Sequence, residues 1–156
     1  MDTENVTRSP LSPTETEAVL QMIEKNEKLI QVRKDFVLEP LSSLLNRYMG
    51  KRGLTTEALF ERIGASRAYG FRVMKGQRRP ERDMLVSLAL EMGMTYEETQ
   101  NLLKVGRRVQ LTPRDERDFL LVFCAMHGKS LGEADDLLKE SGMKPLTVKA
   151  SDPDGD

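Results

Sequence analysis

Cysteine and histidine each occur once in the 156 residues, as Cys124 and His127. One cysteine allows no disulfide within the chain, and one Cys with one His cannot build a zinc finger or ribbon, so no metal site is expected. Tryptophan is absent and aromatics make up only 5% of the chain, fewer than a β-sandwich of this length normally uses. No apolar run approaches the roughly 18 residues of a membrane-spanning helix, and no membrane partner is expected. Residues 1–10 are polar and acidic and lack a secretory signal, which predicts a cytoplasmic protein. No glycine-rich phosphate loop is present, and no cofactor is expected. Cys124 and His127 lie three apart on a predicted helix, the spacing of a nucleophile and base. Neither a third residue nor an oxyanion donor accompanies them, so both are read as core packing and the chain as a non-enzyme.

Nine methionines, with many Leu and Ala, point to an all-α fold. The formal net charge is only −1, but it is unevenly spread. Ten Lys and Arg lie between Arg47 and Arg82 against three acids (Glu57, Glu61, Glu81), a local charge of +7 that leaves −8 for the remainder. A basic stretch on an otherwise acidic chain is the electrostatic footprint of a phosphate-binding face. The competing reading is an ordinary solvated helix surface.

Residues 1–11 carry no apolar periodicity and are expected to be disordered, as is the tail from 147 to 156. Ser12-Pro13-Thr14-Glu15 has the form of a helix start, predicting an N-terminal helix within 12–40 that stops before Pro40. A helix-turn-helix domain is predicted over 41–110 and a further helical hairpin over 111–146. Within these, Gly53 ends one helix and Thr55 caps the next, with Leu54 and Leu59 placed as a hydrophobic staple. Gly64 interrupts that helix, and Ser66 caps a short one reaching about Met74. A helix beginning after Pro80 ends at Gly93. Thr95 to Glu98 and Ser130 to Glu133 are capping boxes, and Thr112-Pro113 is read as another helix start. The acidic run 115–118 is read as charge complementing a helix N-terminus.

Residues 82–111 realign with 117–146 at a constant offset of 35. Arg82/Arg117, Asp83/Asp118, Gly93/Gly128, Glu98/Glu133, Leu102/Leu137, Leu103/Leu138 and Leu111/Leu146 are identical pairs, and the two capping boxes superpose. This predicts a duplicated αα-hairpin.

The segment from Leu54 to Pro80 reads LTTEALFERIGASRAYGFRVMKGQRRP. Leu59, Ile63 and Val73 fall where two short helices crossing at a steep angle touch, and Gly64 falls at their turn. The second helix then presents Ser66, Arg67, Ala68, Phe71 and Arg72 outward, at a size that fits the major groove. Here the chain resembles the phage-repressor-like, or Xre-type, helix-turn-helix family, over about Leu44 to Leu103. The resemblance rests on the Leu-Thr opening, the Gly-Ala-Ser turn, the Lys75-Gly76-Gln77-Arg78-Arg79-Pro80 run, and the helix and turn through Leu85, Ala89, Gly93, Met94 and Thr95. It implies a regulator that binds double-stranded DNA as a homodimer on palindromic sites, with recognition helix 66–75. Ser66, Arg67, Ala68, Phe71 and Arg72 would face bases. Thr56, Lys75, Arg78 and Arg79 would meet phosphates.

Two departures are informative. Where the family has a small residue this chain has Phe60, and where it has a branched one this chain has Gly70, as though large and small partners were exchanged. A polar pair usual in the family is replaced by Met49 and Met74, which can be neutral or stabilising for a buried pair. The alternative function is a helical interaction module, antitoxin-like or adaptor, that holds a protein partner through the repeat.

Overall fold

A computed structural model of the chain describes residues 39–147, together with Glu17, Ala18, Leu20 and Gln21. The chain divides into two units, 1–38 and 39–156. In the first, the four described residues are helical; the rest of the expected 12–40 helix, the expected disorder of 1–11 and all but Thr147 of the expected tail fall outside the described residues.

Residues 39–147 form seven helices and no strand, as the composition predicts. They are α1 (Leu41–Arg52), α2 (Thr56–Arg62), α3 (Arg67–Met74), α4 (Arg82–Glu91), α5 (Tyr96–Val105), α6 (Glu116–Met126) and α7 (Leu131–Glu140). Their boundaries follow local chemistry. Thr55 and Ser66 accept hydrogen bonds from the backbone N–H of Ala58 and Tyr69, satisfying orphan donors at the starts of α2 and α3. Both predicted capping boxes are closed: the Thr95 and Ser130 side chains accept from the third-position N–H, and Glu98 and Glu133 accept in return. The start of α6 differs from its prediction. Thr112 to Asp115 make a turn, and Asp115 is the cap, accepting from the Asp118 N–H. The Thr112 hydroxyl accepts from the Arg114 N–H at 3.4 Å within that turn, and the Thr112 N–H donates to the Asp118 carboxylate at 3.0 Å.

One continuous core runs from Leu44 to Leu146. Leu44, Leu45 and Met49 of α1, Leu59 and Phe60 of α2, and Tyr69 and Val73 of α3 are all at most 3% exposed. Helix α4 lies at the centre, with every residue from Leu85 to Leu90 buried. It contacts α2, α5 and α7. Burying a side chain of the Leu or Phe class contributes about 1.5–3 kcal/mol before entropy is counted, so this layer carries much of the stability.

The 35-residue offset recurs in the hydrogen bonding. Arg82 donates from Nε to the Val109 carbonyl and from Nη2 to that of Gln110. Arg117 repeats this with Lys144 and Pro145. The Gln100 side chain accepts from the Leu111 N–H at 2.8 Å, and at the matching place Asp135 accepts from Leu146 at 2.6 Å. Arg107 has φ +60, the one described non-glycine residue in the left-handed region, where the later copy has Gly142 at φ +74. The arginines also exchange partners: Arg82 pairs with Asp118 at 2.5 Å and Arg117 with Asp83 at 3.0 Å. Such reciprocity, first residue to second and second to first, is the contact pattern of a two-fold relation.

Candidate nucleic-acid interface

Helix α3 is seated by an exchange of volume with α2. Phe60 is wholly buried, and a Cβ built on Gly70 would lie 2.8 Å from its Cγ and 2.9 Å from Cδ2. Contacts that short do not occur between real side chains, so the ring occupies the room a side chain at position 70 would need. Tyr69 completes the contact edge-on, its ring centroid 6.2 Å from that of Phe60. Tyr69 is 2% exposed; it lies four residues before Val73 on the same side of α3, a helical spacing that the motif positions read from the sequence did not use. Met49 is buried and Met74 packs against the same core, which fits an apolar replacement of a polar pair.

With Tyr69, Gly70 and Val73 turned inward, Arg67, Ala68 and Phe71 remain on the outer side of α3. The Arg67 guanidinium lies over the Phe71 ring at 5.7 Å and 3.4 Å from the Glu57 carboxylate on α2. Both members of that ion pair are more than half exposed. An exposed pair of this kind is worth about 0–1 kcal/mol, so Arg67 can leave Glu57 for a ligand at little cost. Ser66 is half-buried with its hydroxyl spent on the Tyr69 N–H.

Arg72 departs from its prediction. It is half-buried, with Nε and Nη2 shielded from solvent, rather than on the outer face. Its position, next to Val73 and one turn beyond Ala68, places it at the edge of the buried stripe. His127 differs as well: it is exposed at the end of α6, its ring 4.4 Å from that of Phe123, because the helix ends there and the chain turns outward. Cys124 is buried as expected, and burial pushes its thiol above the usual range, which disfavours the thiolate.

The predicted phosphate residues form an exposed fringe. Lys75 closes α3, and Arg78 and Arg79 follow it, all exposed, while Thr56 is half-buried at the first position of α2. Beside this fringe runs a groove lined by Pro40 and Ser42 at the start of α1, by Gln77, Arg78 and Arg79, and by Arg107. Arg107 lies outside the basic segment recognised from sequence and is brought to it by the fold. Arg108 braces the loop from behind, donating from Nε to the Pro80 carbonyl at 2.9 Å. Among the described residues no cluster of His, Cys, Asp and Glu is arranged to hold a metal ion, and no helix is long and apolar enough to cross a membrane.

Comparison with family models, curated proteins and solved structures gave no match to this chain.

Proposed function

We propose that the chain is a double-stranded-DNA-binding regulator of the Xre-type helix-turn-helix kind, with α2 and α3 as the motif, α3 in the major groove and the α4–α7 pairs as a duplicated hairpin behind it. One observation carries this reading: the buried Phe60–Gly70 contact holds α3 so that Arg67, Ala68 and Phe71 lie outward beside the exposed Lys75, Arg78 and Arg79. A helix of that kind fits the groove, an arginine on it can bond guanine O6 and N7 together, and flanking cations neutralise phosphates. Arg67 is the base-reading candidate, and Phe71 offers an apolar surface to a thymine methyl. Arg72 becomes a residue that steadies α3. Arg107 joins Arg78 and Arg79 on the phosphate side. One helix-turn-helix covers few base pairs, so two copies would act together on a palindrome.

The two kinds of contact give separable results. Arg67→Ala is expected to weaken binding to a selected site by about 1–3 kcal/mol and to leave folding unchanged. Arg78→Ala and Arg79→Ala are expected to weaken binding to every sequence alike, each lowering the slope of log affinity against log salt by about one. Titration of labelled duplexes at several salt concentrations reads both. An Arg67→Ala protein that is folded and binds the selected site as before removes α3 from the groove. The second reading, a helical module that holds a protein partner, rests on the apolar residues exposed on α6.

A further inference from the structure

Helix α1 is seated on the first copy of the repeat, and among the described residues no helix takes its place on the second. It runs along α5 in the opposite direction. Leu41, at its start, lines a groove with Val105 at the end of α5, while the Tyr48 hydroxyl donates to Glu98 Oε2 near the start of α5 at 2.7 Å. The last turn of α1 is basic, with Lys51 and Arg52. Arg52 donates from Nε to the Met92 carbonyl at 2.8 Å and covers the turn so closely that a Cβ built on Gly93 would fall on its guanidinium. At the offset of 35, Gly93 becomes Gly128 and Glu98 becomes Glu133. A Cβ on Gly128 would meet nothing within 4 Å among the described residues. Glu133 closes its capping box through Oε1 as Glu98 does, and no described residue takes the second oxygen that Glu98 gives to Tyr48.

In place of that seat the second copy has a groove of about 300 Å³ between α6 and α7. Its apolar floor is Phe123, Cys124 and Leu137, at the places of Leu88, Ala89 and Leu102, which are fully buried in the first copy. Phe123 is 39% exposed, and Phe119 and Met126 on the same stripe of α6 are 56% and 65% exposed. The rim carries Glu133, Asp136 and Glu140 against one cation, Lys129. Asp136 and Glu140 replace Asn101 and Val105. Even with Lys129 in place of Met94, the second groove is the more acidic of the two.

We infer that this groove holds a basic amphipathic helix of a partner protein, lying antiparallel to α7 as α1 lies to α5. The first copy is the template for the occupant: an apolar stripe against the floor, and a cationic last turn at Glu133 and Gly128. Asp136 and Glu140 add a demand for further cations toward the N-terminal end of that helix. A second copy of the chain fits less well, because its α1 is already seated on its own α5 and its own α6–α7 rim is acidic. The inference rests on the partner-holding reading, to which it gives a chemistry, and is independent of DNA binding.

The probe is a synthetic peptide of residues 40–54, the α1 sequence with blocked ends, titrated into the isotope-labelled full chain and followed by amide NMR. Shifts are expected at Phe123, Gly128, Glu133 and Leu137. Asp136→Lys and Glu140→Lys together should weaken binding about tenfold; both residues are exposed, so the fold is retained. A Ser42→Lys peptide should bind the wild type about threefold tighter than its parent. It should lose that gain against the Glu140→Lys protein, as the antiparallel register requires. Shifts gathered at Gly93 and Glu98 instead would mean that the peptide displaces α1, and would overturn the inference. A peptide with Arg47→Glu, Lys51→Glu and Arg52→Glu that binds the groove equally well would overturn the basic occupant and leave the partner-holding reading standing. No shift at the groove with either peptide would overturn both. Self-association of the chain alone that is lost in Phe123→Asp would assign the groove to a second copy and overturn the inference as well.

Discussion

Phe60→Ala is expected to cost about 3–5 kcal/mol of folding stability, as large-to-small changes in a closed core do. Its ring is completely buried where α2 meets α3, and the residue directly facing it, Gly70, has no side chain to fill the vacated volume. Gly70→Ala gains helix propensity of about 1 kcal/mol yet drives its Cβ to 2.8 Å from the Phe60 ring, so a net loss of about 1–3 kcal/mol is expected from overpacking. Gly70→Ile should lose more than Gly70→Ala. In the Phe60→Ala background the same changes at position 70 should become stabilising, with a coupling above about 1 kcal/mol. Urea denaturation of the four proteins of each cycle measures it. Free energies that add within about 0.5 kcal/mol would mean that the two residues do not share a volume.

Arg82→Ala is the second large effect, expected at about 3–5 kcal/mol. The Asp118 side chain is only 5% exposed and receives two bonds from Arg82, at 2.9 Å from Nη1 and 2.5 Å from Nη2. Removing the guanidinium strands a buried carboxylate and frees the carbonyls of Val109 and Gln110. Arg117→Ala, at the matching place, should cost only about 1–2 kcal/mol, because its partner Asp83 is more exposed and sheds less into a dry environment. The pH dependence has a definite sign. Burial raises the Asp118 pKa, but the Arg82 bonds and the Thr112 N–H outweigh it, and the folded value lies below the ordinary one. A carboxylate with a depressed folded pKa stabilises above its unfolded value of about 3.9 and loses that stabilisation as pH falls through the folded value. The stability gap between wild type and Arg82→Ala should therefore be full at neutral pH and shrink on acidification. A gap that grows toward low pH, or a cost no larger than that of Arg117→Ala, would place the stabilisation elsewhere.

Much of this architecture is legible in the sequence because it is set locally. Thr55, Ser66, Thr95 and Ser130 cap helices where they are predicted to, since a cap needs only its own side chain and an N–H two or three residues on. The offset of 35 is readable from identical residues, but not its consequence: that Arg82 and Arg117 cross to each other's aspartates depends on how the hairpins meet. The start of α6 shows the limit of such local signals: Thr112-Pro113 and Asp115 are both acceptable helix starts, and the helix uses Asp115, whose carboxylate accepts from the Asp118 N–H. At the candidate interface, motif position separates inner from outer residues well enough to place Arg67, Ala68 and Phe71 outside. It fails for Arg72, at the boundary of the stripe, where a long side chain can fold back. Arg107 was invisible for a different reason: it comes from beyond the basic segment, and only tertiary structure sets it beside Arg78 and Arg79.

Selection of bound duplexes from a random pool, at near-physiological salt and with the full chain, tests the DNA reading most directly. The account predicts enrichment of a palindrome whose half-sites lie about 34–36 Å apart or a multiple of that, with a guanine whose enrichment vanishes in the Arg67→Ala protein. A pool that stays random for the wild type while the protein is folded would contradict it.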